Sequence, residues 1–518
     1  MTAETTASAT ASAPPLATRR EWIGLGVLTL ACLVYSMDLT VLNLAVPRMS
    51  EELKPSSAQL LWIIDIYGFL VAGSLITAGS LGDRIGRRKL LLIGAAWFAI
   101  ASCFAAFSTS AEMLIASRAA MGLAGATIAP STLSLIFAMF QDQRQRSTAI
   151  GMWVAAYSAG GAVGPILGGI LLELSWWGSV FLLGVPVMLL LILIGPRMLP
   201  EYRAPNTRRI DVLSAAMSLV AILSIVFGIK EMAQNGIGPI PLIAIFAGLV
   251  IGAIFVRRQL SLDDPIIDVR LFRSRSFSAA LGTYLFSIFV AVGYFLFIAQ
   301  YLQLVLGMSP FVAALWSLPS ALGFIAGSVF APRIIYRFRP SVVMGAGMAI
   351  VAVGTTLLLG LGGPWSLPLL VAASIVISVG FMPVVTLATE LIVGTAPPEQ
   401  AGAATGISET SGELGGALGI AVLGSLGTVV YRSELARLLP PGVPAPAAEA
   451  ARDTLGGAAA VAAELPPDLG ALVFDAASRA FIDGLHVVAA VAAVIAAVVA
   501  VAAARLLRAV PARSVASE

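Results

Sequence analysis

Long apolar runs alternate with short polar segments along almost the whole chain. Runs of about 20 apolar residues, the length that lets a helix cross a bilayer, lie near 22–46, 59–81, 90–109, 112–139, 147–171, 178–198, 211–230, 240–256, 277–302, 311–332, 341–361, 366–394, 402–430 and 485–508. They are too long for strands, and each predicts a spanning helix. The order, six helices, a pair, then six more, predicts an all-α polytopic membrane protein with 14 transmembrane helices.

The positive charges test this count, because Lys and Arg accumulate on the cytoplasmic side of a membrane protein and a missed helix would scramble them. With the N-terminus inside, cytoplasmic segments hold 23 of the 31 Lys and Arg, external segments hold seven, and Arg118 lies within a helix. Both termini are therefore expected in the cytoplasm. The sizeable external segment is 431–484, Pro-rich at Pro440, Pro441, Pro444 and Pro446, then Ala-rich and mildly amphipathic over Asp468 to Phe481; it is read as a plain external loop. Residues 1–18 are Ala, Thr, Ser and Pro without an apolar core, which fits a disordered tail and not a secretory signal.

Composition agrees: 58% hydrophobic, 11% charged, mean hydropathy +0.95. The bilayer is the solvent. The net charge of +3 is sorted by membrane side and gives no reason to expect nucleic acid. Cys32 and Cys103 sit in apolar runs, so a disulfide framework is not expected, and one histidine, His486, offers no metal cluster.

Charges inside spans are costly and commonly mark a substrate path or proton relay. Asp38, Asp65, Glu390, Glu409, Glu413 and Arg118 lie there. Rise along the helices puts Asp38, Asp65 and Arg118 at one level in the outer half, which predicts a buried Asp–Arg network, a structural pair being as good a reading of Arg118 as a coupling role. Glu409 and Glu413 stand four residues apart on one helix face near mid-membrane. Two such carboxylates do not both ionise cheaply, so one is expected to hold a proton or, when ionised, to attract a cation. Glu390 lies near the inner end of its helix and is read as structural.

Four stretches carry more. The turn after the second helix runs Gly79-Ser80-Leu81-Gly82-Asp83-Arg84-Ile85-Gly86-Arg87-Arg88. The fifth helix holds Gly160-Gly161-Ala162-Val163-Gly164-Pro165-Ile166-Leu167-Gly168-Gly169, glycines at four-residue spacing beside a proline that removes a backbone hydrogen bond. The first helix holds Asp38 to Pro47, and the thirteenth is rich in glycine at Gly412, Gly415, Gly416, Gly419 and Gly424. With Trp62 to Tyr67 and Gln300 to Gln303, these stretches resemble the major facilitator superfamily, in its fourteen-helix drug:proton antiporter branch of the EmrB/QacA type.

The resemblance implies two bundles, 22–200 and 275–508 (including 431–484), around a central cavity, with an inserted pair in 201–274 and cytoplasmic tails at 1–21 and 509–518. It implies a transporter and not an enzyme: a multidrug efflux antiporter of the bacterial inner membrane, driven by the proton gradient without a cofactor. Substrates would be lipophilic, mostly cationic small molecules. Gly79, Asp83, Arg84, Gly86, Arg87 and Arg88 would form the gate, and Gly160, Gly164, Pro165, Gly168 and Gly169 the antiporter motif. Asp38, Asp65, Glu409 and Glu413 would take proton or substrate cation, with Arg118 in support. Tyr294, Tyr301, Trp316 and Phe381 are candidate substrate aromatics. Leu318 to Pro332 holds no acid where some members carry an aspartate, so monovalent cations or neutral drugs are expected. A dedicated exporter of an endogenous metabolite, antibiotic, lipid or siderophore is the alternative, and a receptor or scaffold on the same fold a third. No GxxxxGK[ST] loop points to ATP. Oligomeric state is not legible.

Overall fold

The computed structural model describes residues 15–55, 57–203, 211–236, 238–263 and 265–511. Residues 1–14 and 512–518 of the expected tails, with Arg208 and Arg209, lie outside these. Fourteen spanning helices follow one another: α1 (Arg19–Leu53), α2 (Ser57–Ile85), α3 (Arg87–Ala106), α4 (Ala111–Met139), α5 (Gln143–Leu174), α6 (Ser179–Met198), α7 (Val212–Asn235), α8 (Pro239–Ser261), α9 (Arg275–Val305), α10 (Pro310–Arg337), α11 (Pro340–Gly360), α12 (Ser366–Thr395), α13 (Pro398–Leu438) and α14 (Pro467–Leu506). Every apolar run in the sequence becomes one of them.

Local chemistry sets their ends. Ser110, Asp142, Asp211, Ser274 and Ser309 each accept a backbone N–H of the first turn, and Thr18 and Glu21 close a capping box at α1. Proline opens α8, α10, α11 and α14, where its missing N–H costs nothing.

In the first bundle α1 lies along α5, α2 along α4, and α3 between α4 and α6; in the second α9 meets α12, α13 and α14, and α11 lies between α12 and α14. The two bundles meet along α2–α13, α4–α13 and α5–α10. The α7–α8 pair is attached from outside through α7, which runs against α2 and touches α13. Its partner α8 turns Ile243, Phe246 and Leu249 outward, the side chains of a lipid-facing helix.

Two boundaries differ from the sequence expectation. The segment 431–484 is largely helical: α13 continues to Leu438, short helices cover Ala445–Asp453 and Leu455–Glu464, and α14 starts at Pro467 instead of 485. The amphipathic stretch Asp468 to Phe481 is the first part of α14. Its apolar face, Val473, Ala477, Ala480 and Phe481, is buried, with Phe481 against Phe297 of α9 at 5.9 Å. The second is α5, which bends by 41° between Gly161 and Ile166, in the stretch that holds Pro165.

Candidate functional site

At the end of the bundles carrying the α2–α3 turn, the two halves are bolted together. Asp83, Arg84 and Arg87 are all buried there. The Asp83 carboxylate accepts the N–H of Gly402 at Oδ1 and of Ala403 at Oδ2, both at 3.1 Å, so it caps the start of α13, where helix N–H groups and dipole favour an anion. Arg87 Nε donates to Asp83 Oδ1 at 2.9 Å, its Nη1 to the Ser134 carbonyl at 3.2 Å and its Nη2 to the Pro398 carbonyl at 2.6 Å, and the guanidinium lies 4.4 Å from the Tyr202 ring centroid. One carboxylate and one guanidinium thus tie α2, α3 and α4 to the entrance of α13.

Glycine makes this approach possible. A Cβ on Gly79 would stand 2.1 Å from the Gly402 carbonyl oxygen, and one on Gly402 2.4 Å from that of Gly79. Gly86 has φ of +115°, in the region that favours glycine. The Glu201 carboxylate accepts the N–H groups of Arg88 and Lys89 at 3.1 Å each, and Arg88 Nη1 donates to the carbonyls of Pro196 and Leu199, so Arg88 fixes the turn to the first bundle and does not reach the second. A second fastening joins α5 to α10 and α12: Ser147 Oγ donates to Glu390 Oε2 at 2.7 Å and meets the Tyr336 hydroxyl at 3.0 Å, and the Ser328 hydroxyl donates to the Gly151 carbonyl.

On α5, Gly160 lies against the Leu33 carbonyl and Gly164 against Met37 and Thr40, while Gly169 has open space around it. The motif is therefore the α1–α5 seam, beside the bend.

Deeper in, Arg118 Nη1 pairs with Asp38 Oδ2 at 2.6 Å, its Nε donates to the Ile63 carbonyl at 3.3 Å, and its guanidinium stands 4.6 Å from the Tyr67 ring centroid. Arg118 is only 2% exposed. The pair joins α1, α2 and α4, and breaking it would strand a buried charge. Asp65 does not share it, contrary to the level argument from the sequence. Lys230 of α7 takes it instead, Nζ to Oδ1 at 2.7 Å, with the ammonium 4.5 Å from the Phe69 ring centroid. The docking of α7 on α2 brings in a cation that hydropathy had placed in an external segment.

Glu409 and Glu413 on α13 are partly accessible, and Glu409 Oε1 is buried without a hydrogen-bond partner. Both lie within electrostatic range of Tyr35 of α1, Tyr157 of α5 and Tyr284 of α9. Tyr35 and Tyr157 have ring centroids 6.1 Å apart, and Tyr35 and Tyr67 6.5 Å. Gly412 gives Tyr284 its place, since a Cβ there would meet the ring at 3.1 Å. The two carboxylates thus sit on the helix of the second bundle that packs on α2 and α4 of the first, with tyrosines of α1, α5 and α9 near them.

Over residues 28–420 the chain matches the model of the Major Facilitator Superfamily. It belongs to that superfamily. Among curated proteins it is 41% identical to the multidrug efflux pump LfrA of Mycolicibacterium smegmatis, over 91% of this chain and 94% of that one. It is 36% identical to the methyl viologen resistance protein SmvA of Salmonella typhimurium, over 89% and 93%. Its fold is that of the human organic anion transporter MFSD10 (TETRAN), with a TM-score of 0.59 at 17% identity over 94% of this chain and 99% of that one. The protein is a multi-pass inner-membrane member of the superfamily.

The aromatics picked from the sequence lie elsewhere in this major facilitator fold. Tyr294 is buried and hydrogen-bonded to Ser374 of α12, Tyr301 is buried at the π-helical end of α9, Phe381 packs edge-on against Phe324 at 5.7 Å, and Trp316 is 41% exposed. The tyrosines beside the glutamates come from four helices of both bundles, a convergence without a local sequence pattern. Lys230 and Glu201 were also missed. The one available signal for Lys230 was its adjacency to an apolar span.

Proposed function

We propose that this major facilitator protein exports lipophilic, mostly cationic drugs, such as quaternary ammonium compounds, dyes and antibiotics, in exchange for protons by alternating access. The observation that carries the reading is Glu409, an intramembrane carboxylate with an unpartnered oxygen among tyrosines contributed by both bundles. Proton and organic cation would compete for it, which is the chemistry of exchange. The relatives named for multidrug efflux and methyl viologen resistance support the substrate class.

In this reading the α2–α3 end and both termini are cytoplasmic, the side on which Lys and Arg are expected to gather. On that assignment the bolted face is the cytoplasmic one, and this state is closed to the cytoplasm. A drug leaves outward as a proton arrives at Glu409 or Glu413. The Asp83 and Ser147 fastenings then release, the cytoplasmic face opens, and a new cation displaces the proton inward. Asp38, held by Arg118, is in this scheme a strut and not a carrier, because its charge is already matched.

The test is ethidium movement in proteoliposomes under an imposed pH gradient, wild type against Glu409→Gln. Gradient-driven movement that the variant loses, with its fold intact, is expected. Wild-type protein that stays inert to the gradient would refute proton-coupled drug export.

A further inference from the structure

The inserted helix α7 carries a cation, Lys230, that reaches the first bundle from outside the two six-helix units. Lys230 Nζ lies 2.7 Å from Asp65 of α2 and faces the Phe69 ring, with about a quarter of the side chain accessible (29%). The residue before it, Ile229, is buried against Ala417 and Ala421 of α13, with Leu414 and Leu418 packed around them. Glu413 lies one helical turn before Ala417 on α13, so that contact brings Lys230 toward it. The acids that this packing gathers around Lys230 are Asp65, its ion-pair partner on the first bundle, Glu413 on the second, and Glu231 next to it on α7 itself. A lysine in a span is expensive unless partnered, and this one is paired with Asp65 of the first bundle while its helix also packs on the second.

We propose that Lys230 is a tethered internal cation, shared between Asp65 and Glu413, that competes with incoming substrate for the carboxylates and sets the charge of the cation the site accepts. The idea rests on the export reading above. With Lys230 present, Asp65 is neutralised and Glu413 screened, leaving Glu409 as the main unmatched acid: a site for one positive charge. Removing the ammonium exposes two further acids and favours a dication. The inserted pair would then be a part of the binding site and not a spacer.

The experiment measures KM for a monovalent dye, ethidium, and a divalent one, methyl viologen, in proteoliposomes under the same pH gradient. Lys230→Gln should lower the KM of methyl viologen relative to ethidium by about tenfold, the effect of removing one nearby unit charge in a medium of intermediate dielectric. Lys230→Arg should keep the wild-type ratio. The double variant Asp65→Asn/Lys230→Gln, which removes both charges of the pair, should bring the ratio most of the way back and covers the case in which Lys230→Gln alone does not fold. An unchanged ratio in Lys230→Gln, or a double variant no closer to wild type than the single, would reduce Lys230 to a structural ion pair and overturn the proposal. Failure of the wild type to move ethidium would instead strike the export reading itself.

Discussion

Adding one methyl group at Gly79 should unbolt the face on which the bundles meet. In Gly79→Ala the new Cβ stands 2.1 Å from the Gly402 carbonyl oxygen and 2.8 Å from its carbon. Ordinary contact between carbon and such atoms is about 3.5 Å, so two helix backbones must part by more than about 1 Å. No side chain can turn aside to relieve this, since the obstacle is main chain on a different bundle. Overpacking of this kind costs about 1–3 kcal/mol. The cost falls on the bolted state alone, because separating α2 from α13 removes the clash. At about 1.4 kcal/mol per factor of ten, a penalty of about 2 kcal/mol shifts the equilibrium about thirtyfold toward the open form. Spin labels at the exposed positions Gln143 and Arg339, across that face, report it by pulsed dipolar spectroscopy. Wild type should show mainly the short distance and Gly79→Ala mainly the long one, while Gly26→Ala, which has nothing within 4 Å of its new Cβ, should match wild type. A wild-type distance distribution in folded Gly79→Ala would show that the bundles do not rest on this contact.

Three further outcomes follow from the packing and charges. Arg118→Met should lower the free energy of unfolding by about 3–5 kcal/mol, because Asp38 loses its buried partner, and a thermal melt of Asp38→Asn/Arg118→Met should recover part of that loss; additive losses would count against a coupled pair. Gly160→Ala should impair ethidium transport more than Gly164→Ala, since the first Cβ meets a backbone carbonyl at 2.3 Å and the second meets movable side-chain atoms of Thr40 and Met37 at 2.7 and 2.8 Å. Asp211 caps α7 and binds Arg258; burial pushes its carboxyl up, but hydrogen bonds from Ser214 and Arg258 outweigh this and hold it below the usual carboxylate range. A group lowered on folding stabilises above its unfolded value, so the stability advantage of wild type over Asp211→Ala, about 1 kcal/mol from the cap, should be full at neutral pH and shrink below about pH 4, read as a narrowing Tm difference.

Helix count was written in the sequence because hydropathy and the sorting of Arg between sides are each one-dimensional signals. The gate was legible for the same reason: Gly79, Asp83 and Arg87 stand within one turn of chain, although their receptors, the N–H groups of Gly402 and Ala403, do not. Asp38 and Arg118 were placed at one level by counting rise, and they do pair. The same counting misassigned Asp65, because level says nothing of azimuth and α7 brings Lys230 to the other side of α2. Of the aromatics chosen from the sequence, Tyr294, Tyr301 and Phe381 are packed in the second bundle and Trp316 is 41% exposed, settings that depend on neighbours distant in the chain. The helical start of α14 was hidden by prolines and alanine-rich composition, which read as loop until Phe481 finds Phe297.

The two fastenings that close the α2–α3 end occupy related places in the two halves but differ in kind, and that difference bears on how the face opens. On one side α2 meets α13 with glycine against glycine, and the bond is ionic: Asp83 on the N-terminus of α13, backed by Arg87. On the other α5 meets α10 with a similar close approach, Gly151 against the Ser328 carbonyl at 2.6 Å for an added Cβ, but the stretch of α10 corresponding to the gate turn has no acid. There the bundles are held by hydroxyls, with Ser147 and Tyr336 gathered at Glu390 of α12. The Ser328 hydroxyl exchanges its carbonyl partner for water at about 1 kcal/mol as the bundles part, and the Ser147 bond to the Glu390 carboxylate at about 1.5–3 kcal/mol. The Asp83 cap has to be rehydrated as a charge, and Arg87 with it. The ionic side therefore sets most of the energy difference between closed and open, and the α5–α10 side yields first.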